Sequence, residues 1–236
     1  MNHQVSVVEL SQDLGVSVAT IRRDLDSLGA QGRLLRVHGG GEAIESDPDG
    51  SFEEISRWNP IPKDAIAKAA AQMVHDGDTI LLDIGTTTAC LARRLLGKRI
   101  TVITSSIEAV RILSPDDNIP IMVLGGMLRR SYHSLVGPLT AATLAMVSAD
   151  ISFLSAAGIS SRGELLDNTG TEVPVKQAMI SAANKVVLLA DSTKFPRAGL
   201  LKAAGPEQIN VLITDSGADT QVLDHFHEAG TEVVLV

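Results

Sequence analysis

Ile80-Leu81-Leu82-Asp83-Ile84-Gly85-Thr86-Thr87-Thr88 is the stretch that decides the architecture of this chain of 236 residues. An apolar β-type run ends in Asp83 and Gly85, three hydroxyl side chains follow, and Ala89 to Leu96 continues with helix-compatible residues. A strand that enters a helix through such a turn presents the helix's first free N–H groups at the strand's carboxyl end, together with the positive end of the helix dipole. That arrangement suits an anion, above all a phosphate. One Thr after a Gly reads as an ordinary capped turn. Three behind an Asp-x-Gly shift the reading towards phosphate binding.

Outward from this stretch the pattern is regular. An Ala-rich helix is expected from Asp64 to His75, and a strand at Thr79–Asp83. Further strands are expected at Ile100–Thr104, Ile121–Leu124, Ile151–Leu154, Val186–Ala190, Val211–Thr214 and Val233–Val236, mostly separated by helix-length segments. Alternating β and α elements of this kind predict an α/β fold with a doubly wound, mainly parallel sheet. Ligands on such sheets bind beyond the carboxyl ends of the strands.

The strand exits therefore supply the candidate ligand groups. The first gives Asp83, Gly85, Thr86, Thr87 and Thr88, and the second Thr104, Ser105 and Ser106. The third gives Gly125 and Gly126, where missing side chains let a ligand approach the backbone. After Ala190 come Asp191, Ser192, Thr193 and Lys194. Lys194 taken alone is a solvated surface cation; beside Asp191 it is equally a point charge for a phosphate, with Asp83 and Asp191 as acceptors for sugar hydroxyls. Glu172 and Lys176 stand at the i, i+4 spacing of a plain surface pair and are also ligand candidates.

The first forty residues follow a different grammar. Ser6-x-x-Glu9 has capping-box spacing ahead of a short helix through Leu14, and Gly15 supplies the turn. Ser17 caps a second helix in which Ile21, Leu25 and Leu28 share one face, leaving Thr20, Arg22, Arg23 and Asp26 mainly off it. Leu34 to His38 reads as a strand running into Gly39-Gly40-Gly41. Together these outline a winged helix-turn-helix. The expected organisation is a DNA-binding module over 1–45, a turn-rich linker over 46–62 and an α/β unit over 63–236.

Composition narrows the classes. Hydrophobic residues make up 44% and aromatics only 3%, the palette of a parallel sheet covered by helices. The apolar runs are too short to span a bilayer and no leader pattern opens the chain, so a cytosolic protein without membrane contact is expected. The single Cys90 reads as a small buried apolar residue, and the six His are too scattered for a zinc site, so neither metal nor cofactor is expected. With a formal net charge of −8, any nucleic-acid role rests on a local face.

Two separate parts of the chain carry one resemblance. Val16 to Leu25 followed by Gly32 to Gly40 closely resembles the DNA-binding signature of the DeoR family of bacterial transcription regulators. From Lys63 onward the chain is similar to that family's sensor domain, through Ile66-Ala67, Asp76 to Ile80, Asp83 to Thr88, Thr104 to Ser106, Gly125-Gly126, Val136 to Pro138 and Asp191 to Phe195. The resemblance implies a self-associating repressor, dimeric or tetrameric, that binds operator DNA and senses a phosphorylated sugar or related metabolite to control carbohydrate catabolism. It implies that the Thr cluster holds the phosphate and that Asp191 and Lys194 are needed for the response. It also puts Ser17, Ala19, Thr20, Arg22 and Arg23 in the major groove, with Arg36 and His38 in the wing.

Two departures shape the expectations. Relatives carry a further amphipathic helix ahead of the position of Val5, whereas this chain opens four residues before it. A truncated or misassigned start is therefore expected, with the face of Val8, Leu14, Ile21 and Leu25 partly exposed and DNA binding weakened. The second departure is Ser105, where relatives commonly carry Asn. Residues 1–41 hold four Arg and four acidic side chains, so one module binds DNA modestly and paired modules are expected. The sensor also resembles ribose-5-phosphate isomerase, but Ser155-Ala156-Ala157-Gly158 stands where that enzyme family has an acidic run. Binding without catalysis is the better reading. A DNA-free sensor forming mixed oligomers with full-length relatives is the remaining alternative.

Overall fold

The computed structural model describes residues 4–30, 34–37, 39–43 and 50–236. The chain divides into two compact units, Met1–Pro48 and Asp49–Val236.

The first unit comprises β1 (Gln4–Ser6), α1 (Val7–Leu14), α2 (Val18–Ala30), β2 (Leu34–Val37) and β3 (Gly40–Ala43). Ser6 caps α1 by accepting from the Val8 N–H at 3.2 Å, and Gly15 ends it in the left-handed conformation at φ 65°. Ser17 Oγ accepts from the Thr20 N–H at 3.1 Å and so caps α2. The strands form an antiparallel sheet in the order β1-β3-β2. Two of these strands depart from the sequence reading. Gly40 and Gly41 themselves belong to strand β3, and position 40 must be glycine because a Cβ there would stand 1.9 Å from the Val5 carbonyl oxygen. β1 pairs along that strand. Ile21 and Leu25, expected to be partly exposed, are buried with Val7 and Leu34, whereas Val8 and Leu14 are exposed.

The second unit opens with α3 (Phe52–Ser56) and α4 (Pro60–Gln72), so much of the stretch expected as linker is helical. Ser51 and Glu54 form a reciprocal capping box on α3. Pro60, read as a linker residue, occupies the first position of α4, where its missing N–H costs nothing. There follow β4 (Thr79–Leu82), α5 (Thr86–Leu95), β5 (Thr101–Thr104), α6 (Ile107–Leu113), β6 (Ile121–Val123), β7 (Met127–Arg129) and β8 (Ser134–Val136). The chain continues through α7 (Pro138–Leu144), β9 (Ala149–Ser155), β10 (Gly158–Ile159), β11 (Leu165–Asp167), α8 (Val173–Ser181) and β12 (Ala183–Leu189). It closes with β13 (Leu201–Ala204), β14 (Val211–Thr214), α9 (Thr220–Glu228) and β15 (Glu232–Leu235).

The main sheet runs β15-β14-β12-β9-β4-β5-β6, and every pairing in it is parallel. Successive residues alternate between its two faces. Ile80, Leu82, Phe153, Val187 and Ile213 meet α4, α5 and α6, whereas Leu81, Leu154, Leu188 and Leu212 meet α7, α8 and α9. Cys90 packs against the first cluster, and burial pushes its thiol pKa up. Strand order reverses between β4 and β9, which lie side by side although they are far apart in sequence. That switch point opens a crevice at the carboxyl ends. Among the described residues no helix is long and apolar enough to cross a membrane.

Phe153 is fully buried on the central strand β9. Phe153→Ala is expected to destabilise the second unit by about 3–5 kcal/mol, read as a lower denaturation midpoint in urea.

Candidate functional site

The switch-point crevice is built by the exits of β4 and β9. Gly85 starts α5 so close to β9 that a Cβ on it would lie 2.1 Å from Ser155 Oγ, so no other residue fits. Asp83 Oδ2 accepts from the N–H and the Oγ of Ser155, each at 2.9 Å, and from Lys176 Nζ at 2.5 Å. Lys176 also donates to the Ser155 carbonyl at 3.1 Å and lies 3.8 Å from Asp167 Oδ2. Glu172, one turn earlier on the same helix, pairs with Arg129 from β7.

The pair, read in the sequence as either a surface contact or ligand groups, is thus two buried, separately partnered residues that line the crevice. Burial opposes the charge on Asp83, but Lys176 and the N–H groups of Ser155 and Ile84 outweigh it and hold its pKa below the usual carboxylate range. Burial likewise opposes the charge on Lys176, and Asp83, Asp167 and Glu172 together keep it raised and protonated. Glu172 differs. Burial pushes it up to about 7, with Asp167 adding to the rise and Lys176 and Arg129 only partly offsetting it.

The hydroxyls divide into two sets. Thr88 donates to the carbonyls of Asp83 and Gly85, at 2.8 and 2.7 Å. Thr104 donates to the Leu82 carbonyl, and Ser106 caps α6 through the Ala109 N–H. Ser105 is buried and its carbonyl accepts from the Leu135 N–H. Gly125 takes the Thr140 hydroxyl on its carbonyl, and Gly126 leaves room for Thr140 and Val136. These six residues line neither of the two spaces in the crevice. Gly85, Thr86 and Thr87 do line one of them, together with Lys194.

Asp191 is spoken for as well. Its Oδ1 accepts from Asn59 Nδ2 at 2.8 Å, from the Thr193 N–H at 3.2 Å and from Thr193 Oγ1 at 2.5 Å, which fixes the turn carrying Lys194. Asn59 reaches it from the left-handed conformation at φ 50°, which Asn tolerates. Lys63, one turn into α4, is buried and donates to the Ile55 carbonyl at 2.6 Å. Burial lowers its pKa against the attraction of Asp191 and Cys90.

Ile55 and Tyr132 border both spaces of the crevice. Phe52 meets Tyr132 edge-on and stacks on His133, both at 5.8 Å between ring centroids, and Arg129 lies 4.8 Å above the Tyr132 ring. The space beside Glu172 and Lys176 has a free volume of about 20 Å³, and the one beside Thr87 about 10 Å³. Each holds roughly one water. Among the described residues no cluster of His, Cys, Asp or Glu is arranged to hold a metal.

In the first unit, Ser17, Ala19, Arg22 and Arg23 are exposed and Thr20 is half-buried, opposite the buried Ile21 and Leu25. Ser17 and Thr20 share a 2.9 Å hydroxyl contact. Arg36 lies in β2, and His38 is outside the described residues. Sequence reasoning missed Arg129, Asp167, Ser155, Asn59, Lys63, Ile55 and Tyr132. Of these only Ser155 carried a signal, as the residue at the exit of an expected strand.

A helix-turn-helix unit joined to an α/β unit with a polar switch-point crevice defines a ligand-responsive DNA-binding protein. The comparisons agree: residues 2–47 match the DeoR-like helix-turn-helix domain and residues 58–216 the DeoR C-terminal sensor domain. The chain belongs to the DeoR family of transcriptional regulators. It is 35% identical to the HTH-type transcriptional regulator GolR of Listeria innocua, over 99% of this chain and 93% of that protein. It is 32% identical to the HTH-type transcriptional repressor CsqR of Escherichia coli, over 98% and 89%. Both relatives are regulators rather than enzymes. Among solved structures, ribose 5-phosphate isomerase A of Methanocaldococcus jannaschii is similar at 24% identity and a TM-score of 0.41, covering 56% of this chain and 52% of that one.

The raised pKa of Glu172 fixes the sign of a pH effect. The native chain holds an extra proton between the ordinary carboxyl value of 4.5 and about 7, so this group's contribution makes stability fall as pH rises through that window. Relative to the parent, Glu172→Gln is expected to gain thermal stability progressively from pH 4.5 to 7 and to plateau above it. Melting temperatures across that range measure the effect, whose ceiling is roughly 3 kcal/mol.

Proposed function

We propose that this chain is a repressor of carbohydrate catabolism genes, binding operator DNA through paired N-terminal units and a phosphorylated sugar through the second unit. The observation that carries the reading is the juxtaposition of the α5 N-terminus and Lys194 with Asp167, Glu172 and Lys176. The free N–H groups of α5, the hydroxyls of Thr86 and Thr87 and the Lys194 ammonium form one anion-seeking end. The carboxylates at the other end suit the hydroxyls of a polyol. Asp83 and Asp191, already occupied by their own hydrogen bonds, act as posts that position Lys176 and Lys194.

The crevice is too small for a sugar phosphate as it stands. Binding therefore requires Ile55 and Tyr132 to move outward, and Ile55 belongs to α3, the first helix after the division at Asp49. An effector can alter DNA affinity only by binding two states unequally. In this reading, displacement of α3 is the difference between the states. CsqR's designation as a repressor favours release of DNA by effector.

Thermal shifts against phosphorylated sugars and their unphosphorylated counterparts test the reading, because a ligand stabilises according to its concentration over Kd. A phosphorylated compound is expected to stand out, with Thr87→Val and Lys194→Ala each weakening it about tenfold, the loss of one charge-assisted contact. Binding undiminished in both variants would show that the anion sits elsewhere.

For DNA, Arg22→Ala and Arg23→Ala are expected to weaken operator binding. Any variant that loses a phosphate contact lowers the slope of log affinity against log salt by about 1. An unchanged affinity and slope in both variants, followed by fluorescence anisotropy, would remove α2 from the DNA interface.

A further inference from the structure

Three adjoining spaces run along the carboxyl rim of the sheet. The first contains Thr86, Thr87 and Lys194. The second shares Lys194 and adds Asp167, Glu172, Lys176 and Arg197. The third shares Arg197 with the second and opens as a groove of about 570 Å³ that also contains Arg162 and Lys202. Lys194 and Arg197 therefore mark the two junctions of the row, one on each side of the carboxylate-lined middle.

Arg197 is unlike the other cations here. Lys176 is committed to Asp83 and Asp167, Arg129 to Glu172, and Arg162 and Lys202 both to Glu164, at 3.1 and 3.2 Å. Among the described residues the Arg197 guanidinium makes no hydrogen bond or ion pair. Its stem, by contrast, is held. The Arg197 N–H donates to the Ile159 carbonyl at 2.8 Å, and a Cβ on Gly158 would lie 2.9 Å from the Arg197 Cβ and 3.1 Å from its Cγ. Gly158 thus makes room for the side chain to lie along β10. A half-buried guanidinium with a seated stem and an uncommitted fork is a preorganised donor site for a planar or tetrahedral anion.

We propose that Arg197 binds a second anionic group of the effector, which makes the effector a molecule charged at both ends, a phosphorylated sugar acid or a sugar bisphosphate. The phosphoryl group at the α5 end is the one already assigned, and the inference rests on that reading. The second anion, carboxylate or phosphoryl, lies at the junction with the open groove. The groove leaves space for either.

Calorimetric titration of the full chain with matched pairs tests it: glucose 6-phosphate against 6-phosphogluconate, fructose 6-phosphate against fructose 1,6-bisphosphate, and ribulose 5-phosphate against ribulose 1,5-bisphosphate. The doubly charged member of a pair is expected to bind at least about tenfold tighter, the scale of one charge-assisted contact. Arg197→Ala is expected to abolish that ratio while leaving the singly charged partner unchanged, and Arg197→Lys to retain part of it. Lys194→Ala should weaken both members alike. Equal affinities within every pair that binds, or a ratio that survives Arg197→Ala, would overturn the role of Arg197 and leave the phosphosugar reading standing. Failure of every phosphorylated compound to bind the parent would overturn both. Melting curves of the variants confirm that a lost ratio is not lost folding.

Discussion

The buried contact between Asp83 and Lys176 is the constraint on which the rim of the sheet depends. Asp83 leaves β4, Lys176 projects from α8, and the Ser155 main chain between them ends β9. One carboxylate oxygen and one ammonium thereby tie together the two halves of the doubly wound sheet where their order reverses. Neither charge survives alone at that depth. Removing one partner of such a pair costs about 3–5 kcal/mol, because the other is left desolvated and unpaired. The contact therefore specifies geometry more than it adds stability. With Asp83 holding Ser155 in place, Gly85 must be a glycine, and Gly85, Thr86 and Thr87 at the start of α5 line the crevice.

Charge bookkeeping along the rim bears on the proposal that the crevice takes an anion. The inner network sets Asp83, Asp167 and Glu172 against Lys176 and Arg129, an excess of one negative charge when all are ionised. Burial resolves the excess by raising Glu172 to about 7, so near neutrality that carboxyl is shared between its two forms. Arg197, which makes no side-chain hydrogen bond or ion pair among the described residues, stands outside this set. In the proposed reading its charge is what a second anionic group meets.

Much of the sheet was legible in the sequence because a parallel sheet covered on both faces demands continuous apolar runs, and all seven expected strands are its seven strands. The short hairpin of β7 and β8 and the sheet of β10, β11 and β13 were not legible, since Arg129, Ser134, Gly158, Asp167 and Lys202 keep these strands from forming continuous apolar runs. The candidate site was legible in part, for a specific reason. A Thr or Ser at a strand exit bonds the local backbone as readily as a ligand, and Thr88, Thr104 and Ser106 took the first course. Spacing misled at Glu172 and Lys176, where i, i+4 suggested a solvated pair. Their true partners are distant in the chain, Arg129 by 43 residues and Asp83 by 93, and no local pattern announces them. Arg36 and His38 stay an expectation from resemblance alone.

The same long-range contacts explain how a small ligand could act on α3. The Ile55 carbonyl accepts from Lys63, and Lys63 sits one turn after Asn59, which holds Asp191 and through it the turn bearing Lys194. In the proposed reading, a phosphate drawn to Lys194 pulls on this chain of contacts while the sugar displaces Ile55 from the other side. Lys63 then loses the carbonyl that offsets its burial, and a buried ammonium without an acceptor is costly. It must find a new acceptor or move with α3. In that reading the helix takes one of two discrete positions, because the buried lysine penalises the arrangements between them.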